Sequence, residues 1–284
     1  MSIFQTSDKF KSIGEFREEI DRVAKYDGQT PLYKFLDPQL NDIFMGGLAR
    51  PDSTNIILIY GPSGVGKTLF ATNIVVSALK ERKRVTYMML EDDPGEIGNR
   101  LDKILGSKNI TNKIPPLILN ILSPDITPEH YEQSDALEQV DYYFKCGFDL
   151  VILDHIQFLF ESTAKERDEW VRQRIFIQKL NRVVKKHKKS LVIIAHVHKG
   201  AKNEGMELDA VTGSNSVPQV ATKAFGIWRQ DGDLYLKMTK SRYSKPVFEE
   251  IPIIIDEKGT LRYKNNIDNR TDEEKERDKR IANL

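Results

Sequence analysis

The clearest strand pattern in the chain is the unbroken apolar run Ile56-Ile57-Leu58-Ile59-Tyr60, which ends at Gly61. A run without polar interruption predicts a strand buried on both faces over residues 55–60. A helical stripe follows at 69–81, then strand-like residues at 85–90, a helical stripe at 96–105 and the strand-like ILNIL at 118–122. The rhythm continues with a helix near 131–145, the strand LVILD at 150–154, a helix over 169–187 and the strand LVIIAH at 191–196. Strands alternating with helices predict an α/β fold, a mostly parallel twisted sheet flanked by helices. Past residue 196 the pattern changes to FGIWR, LYLKMTK and FEEIPIIID, joined by short turns. These predict antiparallel strands added at the edge of the sheet.

Residues 1–35, spaced around Phe16, Ile20 and Val23, predict one amphipathic helix with little to pack on in its own segment. The compact domain is expected over 36–265, because LNDIFMGGL ends in a glycine pair just before the first strand. Residues 266–284 are almost all polar or charged and are expected to be a disordered tail. With 284 residues, 39% hydrophobic and 30% charged, the chain can bury one good core and a small appendage. A single cysteine, Cys146, excludes a disulfide framework and a zinc ribbon of paired cysteines, which fits a reducing compartment. The first residues carry no apolar signal region, and no stretch reaches the roughly 18 apolar residues of a membrane span, so a cytoplasmic protein without membrane partners is expected. The net charge of +1 neither requires nor excludes a nucleic-acid partner, so that question passes to the motifs.

Gly61-Pro62-Ser63-Gly64-Val65-Gly66-Lys67-Thr68 fits G-x-x-x-x-G-K-[ST] at every fixed position, between a buried strand and a helix. The glycines let successive backbone N–H groups curl around phosphate oxygens, and the following helix adds the positive end of its dipole. Lys67 would reach the β- and γ-phosphates of ATP or another nucleoside triphosphate, and the Thr68 hydroxyl would be an oxygen ligand for Mg²⁺. The LVILD strand ends in Asp154, placed beside the P-loop by the rule that ligands sit off the carboxyl ends of parallel strands. Asp154 could hold Mg²⁺ through water, or could simply close a turn. Glu91 follows the 85–90 strand and is the candidate base for the attacking water, the alternative being a helix-start acid within EDDPGE. His196 ends LVIIAH and could touch the γ-phosphate; a strand-end histidine is also a common structural residue.

The ordered set LNDIFMGGL, GPSGVGKT, MMLEDD, VILDHIQFL, IIAHVHK, GSNSVPQVA and LKMTKSRYSK resembles the RecA-like motor domain of replicative ring helicases: the DnaB-type proteins, mitochondrial Twinkle and the phage primase-helicases. The resemblance runs from about residue 40 to 263. His-Ile-Gln-Phe-Leu after Asp154 is similar to the helicase pattern, where strand-exchange recombinases usually place a serine. The resemblance implies that Lys67 and Thr68 bind phosphate and metal, Glu91 is the catalytic base, Asp154 the metal carboxylate and His196 the phosphate sensor. It implies that Gln219 links nucleotide state to DNA contact, and that Lys240 and Arg242 reach into the neighbouring subunit's nucleotide. The loop 197–212, with His198, Lys199, Lys202 and Asn203, corresponds to the central loop that contacts single-stranded DNA. A homo-oligomeric ring, most simply a hexamer, is implied, with a primase, polymerase or loader as further partners. In this family the helix before the motor packs on the adjacent subunit, which would explain a 1–35 helix without a partner of its own. Three features depart from the family: Pro218 precedes Gln219 and can stiffen that turn, and neither the primase half with its zinc-ribbon cysteines nor the larger DnaB-type N-terminal domain is expected in these 284 residues. The same core also serves recombinase-type DNA-dependent ATPases and regulatory ATPases of the circadian-clock type. The basic run 179–189 fits a solvated helix end, and Trp170, Trp228 and Tyr243 fit core or interface better than base-stacking platforms.

Overall fold

A computed structural model describes residues 31–51, 53–90, 94–122, 133–160, 166–198, 206–212, 216–242 and 247–264. The expected 1–35 helix falls mostly outside these residues, and the 266–284 tail wholly so. The described strands form one sheet in the order β3-β2-β4-β5-β1-β6-β7-β8-β9. β1 (Asn55–Gly61), β2 (Val85–Met89), β3 (Leu119–Leu122), β4 (Leu150–Asp154), β5 (Ser190–His196) and β6 (Lys223–Gln230) run parallel. β7 (Asp233–Ser241), β8 (Ile251–Ile255) and β9 (Leu261–Tyr263) then fold back antiparallel, one on the next.

The uniform apolarity of β1 follows from its place in the middle. Ile57 and Ile59 point into one core with Phe70 and Ile74 of α2 (Lys67–Lys80) and Ile97 and Leu101 of α3 (Pro94–Leu105), which follows α1 (Pro38–Ile43) and α2 in the chain. Ile56, Leu58 and Tyr60 point into the other, with Val140 and Phe144 of α4 (Gln133–Lys145) and Phe176 and Leu180 of α5 (Glu166–His187). Each strand face is therefore covered, and no polar alternation survives. From β1 the chain steps outward through β2 to β3 with α2 and α3 on one face, then returns through β4 and β5 with α4 and α5 on the other. The helix after β1 packs on one face of the sheet, and Met206 and Val217, which follow β5, pack on the other, the arrangement in which ligands sit off the carboxyl ends of the strands.

Three differences from the sequence expectation have local causes. α1 was not anticipated, because six residues hold too little periodicity to register; its start is fixed by Asp37, whose carboxylate accepts from the N–H groups of Gln39 at 2.7 Å and Leu40 at 3.2 Å. Residues before the expected boundary at 36 join the core: Leu32 bridges to Ala49, and Tyr33 and Phe35 are buried. Phe35 stacks on Phe44 and Phe70, and all three meet Phe225 of β6, with ring centroids 5.2 to 6.0 Å apart. Only Ile251–Ile255 of FEEIPIIID forms strand, and the three-residue β9 lies outside it, so among the described strands the antiparallel group is one strand longer than expected and β7 sits two strands in from its edge.

Three residues of the basic run at the end of α5 are paired with acids. Lys186 and His187 converge with Lys145 on Asp141, whose carboxyl they hold well below the usual range, Lys145 contributing most, and Lys189 meets Asp149 at 2.7 Å. Trp228 is fully buried and stacked on Tyr235, so it belongs to the core; Tyr243 and the side chain of Trp170 lie outside the described residues. None of the described helices is long and apolar enough to cross a membrane.

Candidate nucleotide site

The carboxyl ends of β4, β5 and β1 stand side by side and bring together three of the residues singled out in the sequence. β1 delivers the chain into the loop 61–68, which passes into α2 at Lys67. Gly61 is required by close approach: a Cβ there would lie 2.1 Å from the carbonyl oxygen of Ile227 on β6. Gly66 caps α2 with φ +108°, a left-handed conformation that side chains resist. Gly64 also has positive φ, and a Cβ built on it meets nothing within 4 Å, so the loop's outer wall is open. Pro62 is half-buried, Ser63 and Gly64 are exposed, Val65 packs into the core and Thr68 is half-buried on the first turn of α2.

Lys67 turns inward and is only 5% exposed. Its Nζ donates to the carbonyl of Pro62 at 2.7 Å and lies 3.2 Å from Nδ1 of His196 at the end of β5. An ammonium only donates, so Nδ1 is the acceptor in this contact. The His196 ring meets His155 edge to face, with centroids 4.2 Å apart. Asp154, on the far side of β5 from the P-loop, is 8% exposed and accepts from the Tyr87 hydroxyl at 2.7 Å. Its carbonyl accepts from the N–H of Leu90 at 2.7 Å. Glu91, the next residue after Leu90, lies outside the described residues.

The remaining sequence candidates fall elsewhere. His198 is exposed and donates its N–H to the Ala210 carbonyl at 2.9 Å, where Val197 bridges to Val211 and closes the base of the 197–212 excursion. Lys199, Lys202 and Asn203 lie outside the described residues. Gln219 is exposed on α6 (Ser216–Val220). Lys240 and Arg242 gather on the backbone of that helix: Lys240 donates to the carbonyls of Pro218 at 2.6 Å and Gln219 at 3.1 Å, and Arg242 to that of Gln219 at 2.6 Å. Burial and the adjacent Arg242 guanidinium push the Lys240 ammonium down to about 8. Arg242 sits at the opposite end of β1 from the P-loop, since its N–H bonds to Thr222 and that of Thr222 to Ile56 at the start of β1, while Lys240 pairs with Ala224 level with Leu58 and turns its ammonium to the same helix backbone.

Two residues at the site were not given roles in the sequence reading. Tyr87 offered one weak signal, a hydroxyl inside an otherwise buried strand pattern. Gln157 lies in the DHIQFL run that carried the family resemblance, but nothing in its spacing says what its amide touches.

The donor set fits a triphosphate with Mg²⁺. An open glycine cradle, a buried ammonium at its floor, a threonine hydroxyl on the first helical turn and a carboxylate two strands away are hard-cation and phosphate chemistry. Among the described residues no group of three or more His, Cys, Asp or Glu side chains could hold a metal ion by itself.

No curated protein matches the chain in sequence. The structure is similar to that of the KaiC-like protein PH0186 from the hyperthermophilic archaeon Pyrococcus horikoshii OT3, with a TM-score of 0.63 and 14% identity over 84% of this chain and 100% of that one. That likeness establishes the fold, a RecA-like core with a mostly parallel sheet and antiparallel strands at one side. The AAA domain family matches residues 25–202, a span that takes in the P-loop, Asp154 and His196. Fold, phosphate loop and family match agree, and the chain belongs to the AAA domain family, as a RecA-like P-loop ATPase.

Proposed function

We propose that this ATPase is the motor of a ring-forming DNA helicase, binding ATP and Mg²⁺ at the P-loop and passing single-stranded DNA through a homo-oligomeric ring. The observation that carries this reading is the position of Lys240 and Arg242. Arg242 is level with Ile56 and the P-loop begins at Gly61, five residues further along β1, about 17 Å at the usual rise per residue. At that distance Arg242 does not serve its own P-loop, and Lys240 is turned away from it, onto the Pro218 and Gln219 carbonyls. A neighbour stacked head to tail would present the same pair to this one, where a guanidinium stabilises charge developing on the transferred γ-phosphoryl group.

Within the subunit, Lys67 holds the β- and γ-phosphates, and the Thr68 hydroxyl and the Asp154 carboxylate hold the metal. Bound Mg²⁺ supplies charge neutralisation across the phosphate oxygens. Glu91 accepts the proton of the attacking water, and His196, already against Lys67, contacts the γ-phosphate. Gln219, whose carbonyl both distal cations grip, relays nucleotide state toward the DNA contacts. His198, Lys199, Lys202 and Asn203 meet DNA phosphates without reading bases. Primase, polymerase or loader proteins would be the partners of such a ring. The fold likeness to a KaiC-like protein supports a second reading, a regulatory ATPase that need not touch DNA.

Mixing separates these. Arg242→Ala alone and Lys67→Ala alone should each lose hydrolysis, Arg242→Ala by about 10³-fold or more. Mixed, they should recover part of it, because some interfaces then pair an intact loop with an intact neighbour. A dead Arg242→Ala that mixing cannot rescue would place its action inside its own subunit and sink the trans-acting reading. Opening of a forked duplex, with hydrolysis raised by single-stranded DNA, distinguishes the helicase from the regulatory ATPase.

A further inference from the structure

β5 outruns β4. Their ladder ends at Leu153 opposite Ile193, while β5 continues three residues to His196, still paired with β1 on its other side through Gly61. On the β4 side, the N–H and the carbonyl of His196 are met by a side chain. Gln157, 8% exposed, accepts from the His196 N–H through Oε1 at 3.0 Å, and its Nε2 lies 3.4 Å from the His196 carbonyl. The same Nε2 lies 3.4 Å from the carbonyl of Thr212, and the N–H of Thr212 donates back to His196 at 2.9 Å. One side-chain amide therefore touches both stems of the 197–212 excursion at the point where they leave the sheet.

We propose that Gln157 is a positioning residue for the nucleotide site. Its amide stands in for one more residue of β4, fixing the His196 backbone so that Nδ1 faces Lys67, and it ties that backbone to Thr212. A displacement of His196 during turnover is then passed to the root of the excursion. The inference rests on His196 contacting the γ-phosphate, as in the reading above, and does not depend on the ring or on DNA. The amide is essential to it because Gln157 must accept from an N–H and donate to carbonyls at once. A glutamate at this position keeps the shape but has no donor, and it would face two carbonyl oxygens with a negative charge. A methionine fills the volume and makes none of these bonds.

The test is a double-mutant cycle on the full chain, using Gln157→Glu, His196→Ala and the two combined. It reads steady-state hydrolysis and the affinity for a fluorescent ATP analogue. Gln157→Glu should lower kcat about tenfold, the size of one such hydrogen bond, with the analogue's Kd within about twofold. In the His196→Ala background the same substitution should cost less than about twofold, since a residue acting through His196 has nothing left to position. Gln157→Met runs the same cycle if the glutamate variant does not fold, with thermal unfolding as the check. Losses that simply multiply in the double variant would overturn the proposal, as would a Gln157→Glu enzyme with the wild-type kcat or a His196→Ala enzyme with the wild-type kcat. A wild-type protein that ignores single-stranded DNA would count against the helicase motor alone, because the cycle is read in basal hydrolysis.

Discussion

Tyr87→Phe removes one oxygen atom and isolates the contribution of one hydrogen bond. The Tyr87 ring is fully buried and its hydroxyl lies 2.7 Å from Oδ2 of Asp154, itself 8% exposed, so water can replace the lost donor only poorly. Phenylalanine keeps the ring in place, which makes the cavity term small. What remains is a hydrogen bond to a buried carboxylate, about 1.5–3 kcal/mol. In a chain of this size that lowers the unfolding midpoint by roughly 3–10 °C. The functional share is separable: an acid that has lost its orienting donor binds a metal more weakly, by about 10-fold or more when the donor is a true outer-shell partner. The assay is hydrolysis as a function of Mg²⁺ at saturating ATP, beside thermal unfolding without nucleotide. The expected result is a lower midpoint and a higher Mg²⁺ requirement together. A lower midpoint with an unchanged Mg²⁺ requirement would make Tyr87 a packing residue only, and an unchanged midpoint would refute the hydrogen-bond argument itself.

Lys240 and the loop glycines give three further outcomes. Because burial and Arg242 depress the Lys240 ammonium to about 8, kcat/KM should fall as pH rises through 8, and Lys240→Arg should move that limb upward because a guanidinium stays charged; a limb that does not move would remove Lys240 from the site. Stability runs the other way. Between about 8 and the ordinary 10.5 the folded chain binds fewer protons at Lys240 than the unfolded chain does, so its contribution to stability rises with pH in that window. Gly61→Ala, whose Cβ would press on the Ile227 carbonyl, should cost about 3 kcal/mol, whereas Gly64→Ala meets no neighbour and should cost only its left-handed backbone, about 1 kcal/mol. Equal unfolding midpoints for the two would contradict the close approach of β1 to β6.

The parts of this molecule legible in the sequence are those set by local pattern. β1 and β4 announce themselves because burial on both faces leaves only apolar residues, and the P-loop because each of its positions has a separate backbone or phosphate requirement. Lys67, Asp154 and His196 could be placed together from strand ends alone. The contacts that organise them could not. Tyr87 reaches Asp154 across 67 residues and Gln157 reaches Thr212 across 55, and neither separation leaves a periodic trace. α1 and β9 were missed for a different reason: six and three residues carry no period, and their stability comes from the core they close. Missing β9 leaves β8, and not β7, as the apparent last strand of the sheet. Arg242 is distant from the P-loop because it stands at the other end of the strands, which an antiparallel return makes possible.

The order of strands also sets when the phosphate loop can exist. β1 is complete by Gly61, but its two neighbours are β5, at Ser190–His196, and β6, at Lys223–Gln230. On a ribosome the loop is among the first parts of the domain to be made and among the last to be framed, because its strand waits for about 130 further residues before any backbone partner arrives. A chain truncated before Ser190 carries the whole G-x-x-x-x-G-K-[ST] sequence and none of the strands that hold it in shape. Nucleotide should therefore rescue late folding intermediates and leave early ones untouched, which makes the P-loop a sensor of near-completion rather than a nucleus.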